Sequence, residues 1–329
     1  MPWRWNLRGV DVILWSLRRL PKVCIDDTYV FLRSFLRGAR SVAARCALSA
    51  LTGIVSSQEC LVTNTISLFL YLPHTFIHSF RSETPGLAGT IYTVADEVEK
   101  LGAKALPFQL DVRDDKRIQE MIDLAAKELG APTICVNNAS ALWWKSIEET
   151  ESKNFDLIHA INARGTFALT RACLPYMRES KWGHVLTQSP PIDLSKMAGM
   201  TAYNMSKFGM TMVALGVAQE YPGIVAGNSM WPTTLIESAA TVNHELGSPK
   251  HWRKADILVD AICEVFEESP SDPAHSGRML LDEPFLRSKG VDDFSKYQCV
   301  PGHEPPKIDE VARLLMGAGG SAKGKYRGQ

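Results

Sequence analysis

The sequence predicts an α/β fold, a parallel sheet wound on both faces by helices. Three observations predict it. From about residue 90 onward, apolar runs of strand length alternate with amphipathic segments of helix length. The apolar runs are continuous rather than alternating, as strands covered on both faces require. Residues capable of chemistry fall at the carboxyl ends of these runs, where open α/β sheets bind their ligands.

Each element has a local reason. "GTIYTVADEVEKLG" (89–102) carries Ile91, Val94, Val98 and Leu101 on one side, the spacing of an amphipathic helix. "KALPFQLDV" (104–112) reads as a strand, and "DDKRIQEMIDLAAKELG" (114–130) as a helix stopped by Gly130. "PTICVNN" (132–138) is a short strand and "NFDLIHAINARGTFALTRACLPYMRES" (154–180) one long helix. "GHVLTQS" (183–189) is a strand that runs into the Pro190-Pro191 loop. A helix at 202–221, a strand at 224–232, a helix at 255–268 and a strand at 277–282 complete the series. Strand–helix–strand units of this length imply right-handed crossovers.

The bulk composition narrows the function classes. The 329 residues carry no formal net charge, which gives no electrostatic reason to expect nucleic acid or an anionic membrane as partner. The seven cysteines (24, 46, 60, 135, 173, 263 and 299) contain no Cys-x-x-Cys pair, so zinc and dithiol readings fail and a reducing compartment is expected. No metal site is expected. The glycine-rich, basic tail from Ala318 reads as disordered.

Residues 1–81 form an atypical N-terminal segment outside this pattern. The first fifty residues hold nine Arg/Lys against three acids. That bias resembles a mitochondrial transit peptide, while the acids and the length fit poorly specified extra sequence instead. Mitochondrial localisation is the expectation, with a peroxisomal or cytosolic location as the alternative. Residues 60–80 contain no Asp, Glu, Lys or Arg, about the length of a membrane span. Asn64, Pro73, His74, His78 and three threonines dilute the run, so a buried strand or misfit sequence is the better reading and no membrane partner is expected.

The chemistry concentrates around "MTAYNMSKFGM" (200–210). Tyr203 and Lys207 stand one helical turn apart and share a face. A phenol is too weak an acid to trade protons at neutral pH, and a nearby cation favours the phenolate. A tyrosine so tuned can protonate a carbonyl oxygen or deprotonate an alcohol. The bland reading of the pair alone is a packed tyrosine and a lysine reaching solvent. Other residues shift the balance. Asn137, Asn138, Ala139 and Ser140 close one strand, Asp111 closes another, and Ser189 closes a third. Asn162 sits inside the long helix, mildly unfavourable unless its amide has a task. Pro232, Thr233 and Thr234 follow the strand at 224–232.

This combination, with "VNNASA", "INARGTF", "SPP" and the ending "DDFSKYQCVPGHEPP", resembles the short-chain dehydrogenase/reductase family in its hydroxysteroid dehydrogenase-like branch. The resemblance covers residues 82–306 and implies a Rossmann-like sheet, with residues 307–329 as a short helix and tail. It implies an NAD(P)-dependent oxidoreductase that moves hydride between a nicotinamide and a carbonyl or secondary alcohol, with a lipid-like or acyl substrate. By that resemblance Tyr203 is the catalytic acid/base and Lys207 holds the nicotinamide ribose and lowers the phenol's pKa. Asn162 orders a relay water, and Asp111 touches adenine. Asn138 and Ala139 line the cofactor cleft. Pro232 and Thr234 lie on the loop that meets the carboxamide. Ser189 is the catalytic serine, although the family places that serine nearer the tyrosine, where Pro190 stands here. Arg81 favours NADP over NAD, as a basic residue for the 2′-phosphate. Residues 233–254 are expected to form a substrate lid, with Trp143, Trp144 and Trp252 either lining its apolar wall or, on an equal footing, covering hydrophobic core. A homo-oligomer paired through the long central helices is also implied. The lipid-carrier-like domain that animal members append is expected to be absent, since the chain ends soon after Pro306.

The chain departs from the family in one place. The expected Thr-Gly-x-x-x-Gly-x-Gly turn cannot occur in residues 1–80, which hold only Gly9, Gly38 and Gly53. In "LTGIVSSQEC", Thr52-Gly53 starts correctly, but Ser57 and Glu59 occupy the next two glycine places. A carboxylate there repels a pyrophosphate, and side chains block its close approach to backbone. The preserved distance with altered residues reads as a shifted frame or a misplaced exon boundary, so the first β-α-β segment is expected to be atypical or degenerate. The competing function is therefore a non-catalytic binding protein on the same fold.

Overall fold

The computed structural model describes residues 10–16, 66–70, 91–100, 104–195, 197–238, 241 and 246–308. Arg81, the Thr52-Gly53 turn and the tail from Ala318 lie outside the described residues.

Seven parallel strands form one sheet: β1 (Val10–Ser16), β2 (Ile66–Leu70), β3 (Lys104–Gln109), β4 (Ile134–Asn137), β5 (Gly183–Gln188), β6 (Val225–Trp231) and β9 (Met279–Leu281), in the order β3-β1-β2-β4-β5-β6-β9. Between β6 and β9 the chain makes a two-stranded parallel pair, β7 (Leu235–Ile236) with β8 (Trp252–Arg253). The helices are α1 (Ile91–Lys100), α2 (Asp115–Leu129), α3 (Ser152–His159), α4 (Thr166–Ser180), α5 (Thr201–Glu220), α6 (Asp256–Glu267) and α7 (Asp282–Ser288).

Strands β4, β5 and β6 are buried on both faces. Ile134, Val136, Leu186 and Met230 pack with α1 and α6 through Ala95, Val98, Ile257, Ala261 and Ile262. Cys135 and Val185 face the other way, onto Ile118, Met121 and Ile122 of α2 and Leu169 and Cys173 of α4. Neighbouring strand residues pointing to opposite layers is the period-2 geometry of a strand, and it explains why the strands read as continuous apolar runs. Asp114 caps α2 by accepting from Arg117 N at 3.1 Å, and Gly130 ends it at φ 102°, a backbone that favours glycine.

The order of strands fixes where a ligand binds. From β2 the chain crosses back to β3 at one edge, and from β4 it proceeds to β5 on the other side. The direction of winding reverses between β2 and β4, which makes the carboxyl end of β4 a topological switch point.

Within the N-terminal segment, β1 and β2 occupy two central places of the sheet, with Leu68 opposite Ile134 and Ile13 opposite Leu106, and β2 falls in the 60–80 run read as a buried strand or misfit sequence; two later features differ from the sequence reading. "VDVILWS" and "ISLFL" are rich in the β-branched and apolar residues that a buried strand takes, and two open sheet positions reward them. The helix expected over 154–180 is divided into α3 and α4 by a π turn at Ala160–Gly165. The strand expected to end at 282 stops at Leu281, and Asp282 opens α7. No helix among the described residues is long and apolar enough to cross a membrane, and none of their acidic, histidine and cysteine side chains cluster as a metal site would.

Candidate active site

Helix α5 presents the central pair. Tyr203 and Lys207 are 8% and 2% exposed. Burial of a lysine needs compensation. Here Nζ donates to the carbonyl oxygen of Gln188, the last residue of β5, at 2.8 Å, and lies 5.2 Å from the centre of the Trp231 ring, the last residue of β6. A cation over an indole face gains electrostatic stabilisation. The ammonium is thus held at the carboxyl ends of two adjacent strands. Trp144 meets the Tyr203 ring edge-on, with centroids 6.4 Å apart.

Asn162 lies in the π turn, fully buried. Its Oδ1 accepts from Ala141 N at 2.6 Å, and its Nδ2 donates to Ala141 O at 3.0 Å and to Ser206 Oγ at 2.8 Å. Ser206 Oγ donates in turn to Tyr203 O at 2.7 Å. Asn162 therefore clamps the loop after β4 to the first turns of α5. A primary amide has two donor hydrogens, and both are used on protein atoms. Gly165 lets this turn approach the end of β3, because a Cβ there would stand 2.9 Å from Val112 Cβ. Wide π turns of this kind occur often at functional sites.

Ser189 is buried against a different part of α5. Its hydroxyl lies 2.9 Å from Thr187 Oγ1 and 2.8 Å from Thr211 Oγ1. Thr211 is eight residues beyond Tyr203, about 12 Å of helix rise. The backbone N–H of Ser189 bonds Met230 O at 3.2 Å, and Pro190 follows it directly, so strand pairing fixes its direction.

The other predicted residues line the same sheet edge. Asn137 is buried and donates to Thr170 Oγ1 at 3.1 Å, anchoring the end of β4 to α4. Asn138 is half-buried and Ala139 buried just beyond it, at the switch point. Asp111 follows β3, and Arg113 grips both its oxygens, with Nε 2.9 Å from Oδ1 and 3.0 Å from Oδ2. Pro232 is half-buried and Thr234 buried on the loop after β6. Of the three tryptophans, Trp144 stands beside Tyr203 and Trp143 donates to Thr150 Oγ1 at 3.1 Å. Trp252 turns inward, packing with Leu235 and donating to Leu246 O at 2.8 Å.

A family model for short chain dehydrogenases matches residues 88–242, the span that holds Asn162, Ser189, Tyr203 and Lys207. The chain is 31% identical to a short chain dehydrogenase of Mycobacterium thermoresistibile, over 92% of this chain and 95% of that one, with a TM-score of 0.68. The chain belongs to the short-chain dehydrogenase family. The chain is also 40% identical, over 224 residues, to human hydroxysteroid dehydrogenase-like protein 2, covering 67% of this chain and 52% of the human one. It thus spans about half the length of the curated relatives it matches. A dehydrogenase-type structure from Xanthomonas campestris shares the fold at 24% identity and a TM-score of 0.71.

Members of the short-chain dehydrogenase family work with nicotinamide dinucleotides. The nicotinamide half of such a cofactor fits the edge just described. The hydroxyls of Thr233 and Thr234 are buried on the loop after β6 with no hydrogen-bond partner in the structure, capacity that a carboxamide can use. Lys207 brings a buried ammonium to the same edge. Residues that the sequence did not single out complete the cluster: Gln188 and Trp231 around the lysine, and Ser206 between Asn162 and the Tyr203 backbone. Their signal was positional only, since each ends a strand or adjoins Lys207.

Proposed function

We propose that this chain is an NAD(P)-dependent oxidoreductase acting on an apolar, lipid-like or acyl carbonyl or its secondary alcohol. The observation that carries this reading is the Tyr203–Lys207 pair, buried one helical turn apart at the carboxyl edge of a parallel sheet. A bound nicotinamide supplies or takes the hydride. Tyr203 gives its phenolic proton to the carbonyl oxygen as reduction proceeds, or takes the alcohol proton in the reverse direction. The Lys207 ammonium stabilises the phenolate that remains and donates to the ribose. Asn162 holds the loop that carries Asn138 and Ala139, and Ser189 supports β5 from beneath through Thr211. Asp111, already paired with Arg113, accepts from the adenine amine with its remaining lone pairs. Pro232 and Thr234 face the carboxamide, and the half-exposed Trp144 offers an apolar wall. The cofactor is NADP on the strength of Arg81. The Arg-rich start favours mitochondria, a localisation that a C-terminal fluorescent fusion tests directly.

The exposed apolar side chains Phe167 on α4 and Met205 and Met212 on α5 support a homo-oligomer paired through these helices. A second reading, a binding protein without turnover, is favoured by Ser57 and Glu59 where the phosphate-binding glycines are expected.

Titration of NADPH and NADH, followed by fluorescence and thermal shift, separates the two readings. Saturable binding together with reduction of a long-chain ketone or aldehyde is expected. Tyr203→Phe should lower turnover by about 10²- to 10⁴-fold and leave cofactor affinity in place. Turnover that survives this substitution refutes the catalytic role. Absence of any shift at millimolar cofactor refutes the enzyme reading.

A further inference from the structure

The loop after β6, residues 232–236, is held from behind by three segments, and one residue touches all three. Arg253 is fully buried in β8. Through its backbone it pairs with Ile236 and accepts from Glu237 N at 2.8 Å, which ties it to the loop. Its Nη2 lies 3.1 Å from Glu283 Oε2 in the first turn of α7. The same nitrogen donates to Glu304 Oε1 in the stretch 298–308, and the Arg253 backbone bridges Gln298 of that stretch.

The loop's own anchors run to the same two segments. Asp282, next to Glu283, accepts from Thr233 N at 2.8 Å through Oδ1. Ile308 N donates to Thr233 O at 2.9 Å, and Thr234 bridges Lys307. Residues 298–308 thus form a strap across the back of the loop. One guanidinium faces the carboxylates of Glu283 and Glu304, while burial pushes the neighbouring Asp282 carboxyl up. The cluster is also polar beyond what these bonds need. Arg253 Nε and Nη1, Asp282 Oδ2, Thr233 Oγ1 and Thr234 Oγ1 are buried and have no hydrogen-bond partner in the structure. An apolar core of the same shape would hold this corner without that cost, so the polar arrangement is retained for where it places the loop.

We propose that Arg253 is a positioning residue that sets the 232–236 loop against the nicotinamide by coupling it to α7 and to the 298–308 strap. The proposal rests on the reading that this loop meets the carboxamide. Through Nη2 alone the guanidinium meets both α7 and the strap while its backbone stays in β8, a reach that the differently shaped lysine ammonium does not reproduce.

The test uses the full chain carrying Arg253→Lys or Glu304→Gln. Amide hydrogen exchange is read in three segments: 232–238, 298–308 and α5. Arg253→Lys is expected to speed exchange in the first two together, by about tenfold, with α5 unchanged. It is also expected to raise KM for the nicotinamide with kcat held, the signature of lost binding rather than lost chemistry. Glu304→Gln, at a side chain 61% exposed, should give a smaller rise in the same two segments and carries the test if the lysine variant does not fold. Unchanged exchange at 232–238 overturns the proposal, as does a uniform rise that includes α5. If the unaltered chain binds no nicotinamide, the functional reading falls while the exchange pattern still decides whether Arg253 sets the loop.

Discussion

Replacing Asn162 with alanine tests the clamp at the centre of the site. The substitution deletes three hydrogen bonds of 2.6, 3.0 and 2.8 Å from a fully buried side chain. Ser206 keeps a partner, because its hydroxyl still donates to Tyr203 O. The N–H and C=O of Ala141 lose theirs. A net hydrogen bond is worth about 1 kcal/mol, and a buried group left unsatisfied costs about 1–3 kcal/mol. The expected loss is therefore about 3 kcal/mol, offset by a few tenths for alanine's higher helix propensity. For a domain of this size that lowers Tm by about 6–12 °C. Thermal unfolding measures it, and the exchange rate of the Ala141 amide locates it. Asn162→Asp should be worse than alanine, since a carboxylate still accepts from Ala141 N but meets Ala141 O with no donor. A Tm within about 2 °C of the parent for Asn162→Ala would refute the clamp. It would return the side chain to the water-ordering role that the family resemblance implies.

Two further outcomes follow from burial and close packing. His184 is enclosed by Trp182 and Phe266, and burial holds its pKa down to about 4, from an ordinary 6.5. The unfolded chain takes up this proton first, so the contribution is complete above pH 6.5 and is lost as pH falls toward 4, by about 1.4 kcal/mol per unit and about 3 kcal/mol in all. Urea unfolding at several pH values should show that slope in the parent and a shallower one in His184→Phe, whereas equal slopes would contradict it. Gly227→Ala would set a Cβ 2.1 Å from Ala214 O, where α5 lies on β6, and should cost about 3 kcal/mol or more. Gly216→Ala, inside α5 with nothing within 4 Å, should instead add about 0.5–1 kcal/mol, and the same sign for both in denaturant unfolding would refute the packing account.

Strands β4, β5 and β6 were legible because they are buried on both faces, so each is a compact, uncharged run bounded by turn residues. Helix α2 was legible to within a residue through Asp114 and Gly130, since caps are local chemistry. The π turn was not. Its cause is a bond between Asn162 and a loop 21 residues away, and no local pattern encodes a partner at that distance. Asn162 was legible as an asparagine in a poor place for one and, through the family resemblance, as a site residue, but not as a clamp on Ala141. The places of β1 and β2 were illegible for a related reason: their partners are strands far along the chain, and the glycine turn that would have announced the first of them is missing from residues 1–80. Tyr203 and Lys207 were legible because helical spacing is rigid. Ser189 could be placed at a strand end, but its side-chain direction depends on which neighbours hold β5, and these turned it to Thr211. Arg253 gave no signal at all. In sequence it is one basic residue beside another, and only the chain's return at Glu304 makes it a node.

The energetics of Lys207 decide between a site and an accident. A lysine that merely packs lets its ammonium reach water, as its long stem allows. Lys207 does not, although α5 has an exposed face on which Met205 stands 47% and Met212 63% exposed. The helix thus turns methionines outward and a cation inward, the reverse of what burial alone selects. A neutral side chain of similar length would fill the same space without the desolvation penalty, which is several kcal/mol for an ion. The Gln188 carbonyl and the Trp231 ring return part of that. Both belong to strand ends that would be equally well formed against a methionine. The stability of the fold therefore gives no reason for a lysine at 207. The role proposed for Tyr203 gives one, because a phenol that trades its proton at that edge is served by a positive charge fixed beside it before the substrate arrives.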